Sequence, residues 1–229
     1  MTGSELAEAV RARLDQLARE DVPRRIWRGD HTVWRPEPEE IADRLGWLGV
    51  HEAMRERIAE LKAFARDLAA EGVRSAVLAG MGGSSLAAET FRETYGVAPG
   101  CLDLRVLDTT HPDELAAVGL DPEATLAVVS SKSGTTLETR AHLDWLWERM
   151  PRPERFVAIT DPGTPLAGIA EERRFRRTFS NPPDIGGRFS ALSLFGLVPA
   201  ALIGADLEEL LDGAAEAAKA CGEDVPADR

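Results

Sequence analysis

The sequence predicts an α/β fold, a three-layer αβα sandwich on a five-stranded parallel sheet preceded by a helical extension. Two observations predict it. Short apolar runs recur between residues 75 and 179, and amphipathic stretches separate them. Runs that are apolar at consecutive positions suit strands buried on both faces, and the intervening helices supply the crossovers that parallel strands need. A third observation locates the chemistry: glycine- and hydroxyl-rich segments directly follow the first and third runs.

Three zones follow in order. Residues 1–70 are expected to form a helical extension, 71–204 the sheet domain, and 205–229 a last helix and the start of a linker. In the first zone Leu6, Val10, Leu14 and Leu17 recur at helical spacing. Asp21 to Glu39 reads as irregular, with Pro23, the turn pair Gly29-Asp30, Pro36 and Pro38. Helical stretches are expected from about Pro38 through Leu48 and from His51 to Ala70. The strand candidates are Ser75 to Ala79, Leu104 to Leu107, Thr125 to Val129, Arg155 to Ile159 and, more weakly, Arg177 to Phe179. Helix patterns lie between them at Ser84 to Tyr95, Pro112 to Val118, Thr136 to Met150 and Pro165 to Arg173. The apolar run Ala191 to Gly204 reads as a buried helix, too short to span a bilayer. A last helix is expected from Asp206 to Ala220, and the polar tail from Gly222, with Pro226, reads as a linker or a fray.

Composition narrows the partners. The formal net charge of -12 argues against nucleic acid, which needs clustered Lys and Arg to displace counterions. It also means that an anion site must be made positive locally. Cys101 and Cys221 stand in no paired motif, and the amino terminus is polar and amphipathic. Both fit a reduced, cytoplasmic protein away from membranes. His31, His51, His111 and His142 are scattered without metal-ligand spacing. Trp27, Trp34, Trp47, Trp145 and Trp147 read as packing residues.

In an open parallel sheet, ligands sit at the carboxyl ends of the strands, where the chain order reverses. The loop after the first strand, 79–85, holds Gly80, Gly82, Gly83 and Ser84 before a helix. Glycines let backbone approach an anion, and a helix N-terminus favours negative charge. The loop reads equally as a tight turn, and its glycine spacing differs from the dinucleotide fingerprint, for which Asp108 is the only acidic partner available. The loop after the third strand, 130–136, joins Ser131, Lys132, Ser133, Gly134 and Thr136 at another helix start. Donors around the oxygens with partial neutralisation are what a phosphate monoester needs. The plainer reading is a polar turn with capping residues. A third element, 184–190, sets Gly186 and Gly187 before Arg188. That arginine either pairs with an acidic neighbour or stabilises developing oxygen charge on a substrate.

Taken together, these residues resemble the glucose-6-phosphate isomerase family. The matching signatures are GMGGSS at 80–85, SKSGTT at 131–136 followed by Leu137-Glu138-Thr139, and GGRFSALS at 186–193. The stretch from Ile26 to Leu48 resembles the lead-in of bacterial forms, including those fused to transaldolase. The resemblance implies a sugar-isomerase (SIS) domain with a flavodoxin-like strand order, one of two in the family. It implies interconversion of glucose 6-phosphate and fructose 6-phosphate without metal or cofactor, in glycolysis and gluconeogenesis. By similarity Ser131, Lys132, Ser133 and Thr136 would hold the phosphate of a hexose 6-phosphate. Gly83, Ser84 and Gly187 would contact the ligand, and Arg188 would stabilise the enediolate-like intermediate. A homodimer, or pairing with a second SIS domain, is implied as well.

The family's proton-shuttling glutamate, with the histidine and lysine that assist ring opening, comes later than residue 229, and nothing in this sequence matches the glutamate's motif. The expectation is therefore the phosphate-binding half of the isomerase without its base. The alternatives are a non-catalytic SIS module that senses a phosphosugar and an isomerase whose base comes from a partner subunit. Glu138 suits a solvated or capping role better than catalysis. His111, just before Pro112, suits a turn or cap, with a minor binding role left open.

Overall fold

The computed structural model describes residues 3–225, so the expected tail falls partly outside them, Pro226 included. The first helix, α1 (Gly3–Arg19), leaves Leu6 and Val10 exposed and half-buries Leu14 and Leu17. The stretch expected to be irregular contains a short helix, α2 (Val22–Trp27), with Pro23 in its first turn. A missing N–H costs nothing there. After it, the Asp30 carboxylate accepts from the Thr32 hydroxyl, Arg25 Nε and the Thr32 N–H at 2.6, 2.7 and 2.9 Å. Those bonds pull its pKa down to about 2.

The helix expected over Pro38 to Leu48 does not form. Two 3-10 turns, Ala42–Arg44 and Gly46–Leu48, stand in its place. A long-range pairing outcompetes the local periodicity. Leu45 bridges Ile185 in antiparallel fashion, and Gly46 N–H donates to the Asp184 carbonyl at 2.9 Å. A Cβ at position 46 would run into the Asp184 carboxyl group. The next expected helix is broken into α3 (Val50–Ala53), a 3-10 turn (Met54–Arg57) and α4 (Ile58–Ala70).

All five strand candidates form: β1 (Ser75–Gly80), β2 (Asp103–Leu107), β3 (Thr125–Ser130), β4 (Phe156–Thr160) and β5 (Arg177–Ser180). They pair in parallel in the order β2-β1-β3-β4-β5. The helices are α5 (Leu86–Tyr95), α6 (Pro112–Ala117), α7 (Leu137–Arg149), α8 (Pro165–Glu172), α9 (Leu194–Ile203) and α10 (Leu207–Ala220). α5 starts later than the sequence suggests, because residues Gly82–Ser84 form a 3-10 turn of their own.

Strand side chains alternate between two apolar layers. Ala76, Leu78, Leu104, Leu126, Val128, Val157, Ile159 and Phe179 pack with α4, α5, α9 and α10. Val77, Ala79, Ala127, Val129, Phe156 and Ala158 pack with α7 and α8. That alternation makes the three layers. α9 is buried along its whole length. Since α5 and α7 cover opposite faces, the sheet's switch point lies between β1 and β3, where the rule for open parallel sheets puts a ligand crevice at the carboxyl ends. No helix among the described residues is long and apolar enough to cross a membrane.

Candidate functional site

The three sequence motifs meet at that crevice. Ser130, the last residue of β3, is fully buried and donates its hydroxyl to the Ser84 carbonyl at 2.7 Å. This bond ties the glycine loop to the start of the 131–136 loop. The arginine loop closes on the glycine loop from the other side. Ser190 Oγ lies 3.0 Å from the Gly83 carbonyl and 2.7 Å from the Gly187 carbonyl. Gly83 and Gly187 touch backbone to backbone: a Cβ on Gly83 would collide with the Gly187 carbonyl. Gly83 is thus glycine for loop-to-loop contact.

Within the 131–136 loop, the hydroxyls organise the backbone. Ser131 Oγ, buried, accepts from the Gly134 N–H at 3.1 Å and donates to Thr136 Oγ1 at 3.3 Å. Ser133 Oγ accepts from the Thr135 N–H at 3.2 Å and lies 2.8 Å from the Thr135 hydroxyl, exposed at the mouth. Gly134 has φ +68, and a Cβ there would sit 2.8 Å from the Leu166 nitrogen. The loop is packed tightly onto the start of α8.

Both helices that open at the crevice lack a capping side chain. Ser85 and Thr136 are the N-caps of α5 and α7, and neither side chain bonds a first-turn N–H. The helices α6, α8, α9 and α10 are capped by His111, Thr164, Ser193 and Asp206. The helices α2, α3 and α4 also lack a capping side chain, so what distinguishes α5 and α7 is that both start beside the motif loops, with N–H groups and positive dipole ends suited to an anion.

The cations are placed unequally. Lys132 Nζ ion-pairs with Asp161 Oδ2 and donates to the Pro183 carbonyl at 2.8 Å. Arg188 lies in the 3-10 turn Gly187–Phe189, exposed, and among the described residues no acidic group pairs with it. Of the two readings open for this arginine, the internal ion pair is thereby set aside. Phe189 beside it stacks on Trp47, with ring centroids 5.2 Å apart.

His111 is exposed and caps α6, its Nδ1 accepting from the Asp113 N–H at 3.3 Å. Glu138 is half-buried in the first turn of α7. The tryptophans pack as expected except Trp34, which is 49% exposed. Two residues of the site's surroundings escape sequence reasoning. Asp161 follows β4 at the same sheet edge, the one available signal. His142 is buried, with Nε2 2.9 Å from the Thr109 carbonyl. Burial pushes its pKa below the usual imidazole range, against the opposing pull of that hydrogen bond and of Glu138 and Asp108. Its signal was its place beside Thr139, Leu143 and Leu146 on the inner face of α7. No cluster of His, Cys, Asp or Glu suited to a metal occurs among the described residues.

Fold and crevice define a doubly wound α/β domain with two uncapped helix starts at its switch point. A family model described as phosphoglucose isomerase matches residues 46–225, and the chain belongs to that family. A glucose-6-phosphate isomerase of Thermus thermophilus is 37% identical over 182 residues, covering 76% of this chain and 42% of that protein. A crystal structure of a hypothetical protein, also from Thermus thermophilus, superposes with a TM-score of 0.76 at 33% identity, over 96% of this chain and 52% of the other. A glucose-6-phosphate isomerase from Chlamydia trachomatis gives a TM-score of 0.64 at 29% identity, over 89% of this chain and 39% of that one. The chain thus spans less than half the length of the curated relative it matches, 42%.

Proposed function

We propose that this chain is the phosphate-binding half of an aldose-ketose isomerase that interconverts glucose 6-phosphate and fructose 6-phosphate in glycolysis and gluconeogenesis. The observation that carries the reading is the meeting of three separate motif loops at one crevice where both flanking helices lack a capping side chain. Ser131 and Thr136 shape the loop, Ser133 and Lys132 face the phosphate oxygens, and the first N–H groups of α5 and α7 supply the remaining donors. Gly83, Ser84 and Gly187 line the sugar. Arg188, with no acidic partner among the described residues, stabilises oxygen charge as the proton moves between C1 and C2 of the opened sugar.

On this reading the general base is not among the residues of the cradle. Asp161 is committed to Lys132, and the Asp184 carboxyl group packs against Gly46. Glu138 sits in the first turn of α7, half-buried. The protein works in the cytoplasm, with a second sugar-isomerase domain or a second copy as its partner. A positioned base contributes roughly 10²–10⁴-fold to such a proton transfer. The 229-residue chain alone is therefore expected to bind fructose 6-phosphate and to isomerise it poorly in a coupled assay. Full turnover by the isolated chain would sink the missing-base argument. Unchanged calorimetric affinity after Lys132→Ala would reject the phosphate assignment. Binding without turnover, even when the partner domain is supplied, would favour a sensing module.

A further inference from the structure

The one cation of the 131–136 loop is not free. Lys132 Nζ meets Asp161 Oδ2, and its side chain and that of Asp161 are only 18% and 14% exposed. Nζ also donates to the Pro183 carbonyl at 2.8 Å. An ammonium has three N–H donors, so one is left over. The pair is built into the backbone: Asp161 N–H donates to the Lys132 carbonyl at 3.3 Å, and Thr160 Oγ1 lies 3.4 Å from the same oxygen. Three loops, those after β3, β4 and β5, are thereby joined through one side chain.

The pair is poorly explained as a stabilising bridge. Asp161 Oδ1 is buried without a hydrogen-bond partner. A buried ion pair offsets its desolvation only when the remaining lone pairs are satisfied, and an unsatisfied buried acceptor is destabilising. Its sense lies in charge. A phosphate drawn toward Lys132 meets an ammonium already half-neutralised, and the Asp161 carboxylate repels it at short range.

We propose that Asp161 is a positioning residue for phosphate binding: it holds the Lys132 ammonium in place with one donor free, and its charge weakens the grip of the cradle on a phosphomonoester. The proposal rests on the phosphate assignment of the 131–136 loop. A weakened grip suits a site whose ligand must leave as readily as it enters, since affinity shared by substrate and product gives no rate advantage.

Calorimetry on the 229-residue chain tests it, with fructose 6-phosphate and inorganic phosphate as ligands and fructose as the uncharged control. Asp161→Asn keeps an acceptor for the ammonium and removes the charge. It is expected to bind both phosphates roughly tenfold tighter, the scale of a unit charge a few ångströms from a dianion at a water-like dielectric. Its affinity should also fall more steeply with salt, and fructose should be unaffected. A purely structural lesion would not raise affinity. Lys132→Ala is expected to weaken both phosphates, and the double variant should bind them more tightly than Lys132→Ala does, because the carboxylate repels the phosphate whether or not the lysine is there. If Lys132→Ala weakens binding while Asp161→Asn is unchanged or weaker, the proposal falls and the phosphate assignment stands. If Lys132→Ala changes nothing, the assignment falls and the proposal with it. A double variant no tighter than Lys132→Ala also overturns it, since the charge of Asp161 would then not reach the phosphate. Thermal melts check the fold. If Asp161→Asn does not fold, Asp161→Ser carries the same expectation, and failure of both to fold makes the pair structural and refutes the proposal.

Discussion

Gly83→Ala isolates the contact that closes the crevice. Gly83 lacks the positive φ that would demand glycine, so alanine adds no backbone strain. What it adds is a methyl group driven into the Gly187 carbonyl, with the Gly187 carbonyl carbon and Cα next to it. Backbone cannot swing aside like a flexible side chain, so the arginine loop must retreat and stretch the Ser190 bond to the Gly83 carbonyl, 3.0 Å in the intact protein. Overpacking of this kind costs about 1–3 kcal/mol. In a domain of this size each kcal/mol lowers the melting temperature by roughly 2–4 °C, giving a drop of about 2–12 °C. Differential scanning calorimetry reads that drop, and titration with fructose 6-phosphate reads the displaced Arg188 loop as weakened binding. Gly187→Ala is the control. Nothing lies within 4 Å of a Cβ there, and its φ is not positive, so its stability should stay within about 0.5 kcal/mol of the parent. A Gly83→Ala protein that melts within a degree of the parent, or a Gly187→Ala protein equally damaged, would refute the proposed loop-to-loop closure.

Two further predictions concern buried polar groups. Ser130→Ala removes the donor to the Ser84 carbonyl, 2.7 Å away in a fully buried setting, and should destabilise by about 1–3 kcal/mol in urea denaturation. His142 is held below its unfolded pKa by burial. The unfolded state therefore binds more protons in the window just below the usual imidazole pKa of about 6.5, and stability present above that pH is lost as pH falls through the window toward the folded value. Melting temperature should drop between about pH 7.5 and 5.5 more steeply in the parent than in His142→Gln, and parallel curves would exclude this histidine as the cause.

The sheet was readable because both its faces are covered. In β1, β3 and β4 nearly every residue is buried, so the sequence runs apolar without alternation and cannot be mistaken for surface. The weak reading of β5 has the same origin in reverse: at the sheet's edge only Phe179 is buried. The failure at 38–48 was of another kind. Its spacing suits a helix, but Leu45 and Gly46 are claimed by Ile185 and Asp184, some 140 residues on, and local periodicity holds no record of such a partner. The site divides in the same way. Loops that act through their own backbone, glycines before a helix start, are visible as motifs. Asp161 pairs with a lysine 29 residues earlier, and a lone aspartate in a turn carries no mark of that.

On the proposed reading, the charge balance accounts for the uncapped helices at the crevice. In a chain of net charge -12, a lysine at an anion site would be the obvious source of attraction, yet Lys132 is already paired with Asp161. Besides the exposed Arg188, what remains is dipolar. A capping side chain stabilises a helix by about 0.5–2 kcal/mol, and α8, α9 and α10 each have one. The helices α5 and α7, like α2, α3 and α4, do without it, although a serine and a threonine stand at their cap positions. Those hydroxyls are turned to other partners: Ser85 donates to the Gly82 carbonyl and Thr136 accepts from Ser131. The residue types for self-capping are present and are used instead to shape the loops. An anion in the crevice would complete the two helix ends, so the stability missing from the free chain becomes part of the affinity for the ligand. Ligand binding should then protect the first-turn amides of α5 and α7 from hydrogen exchange, and leave those of α8, already capped by Thr164, unchanged.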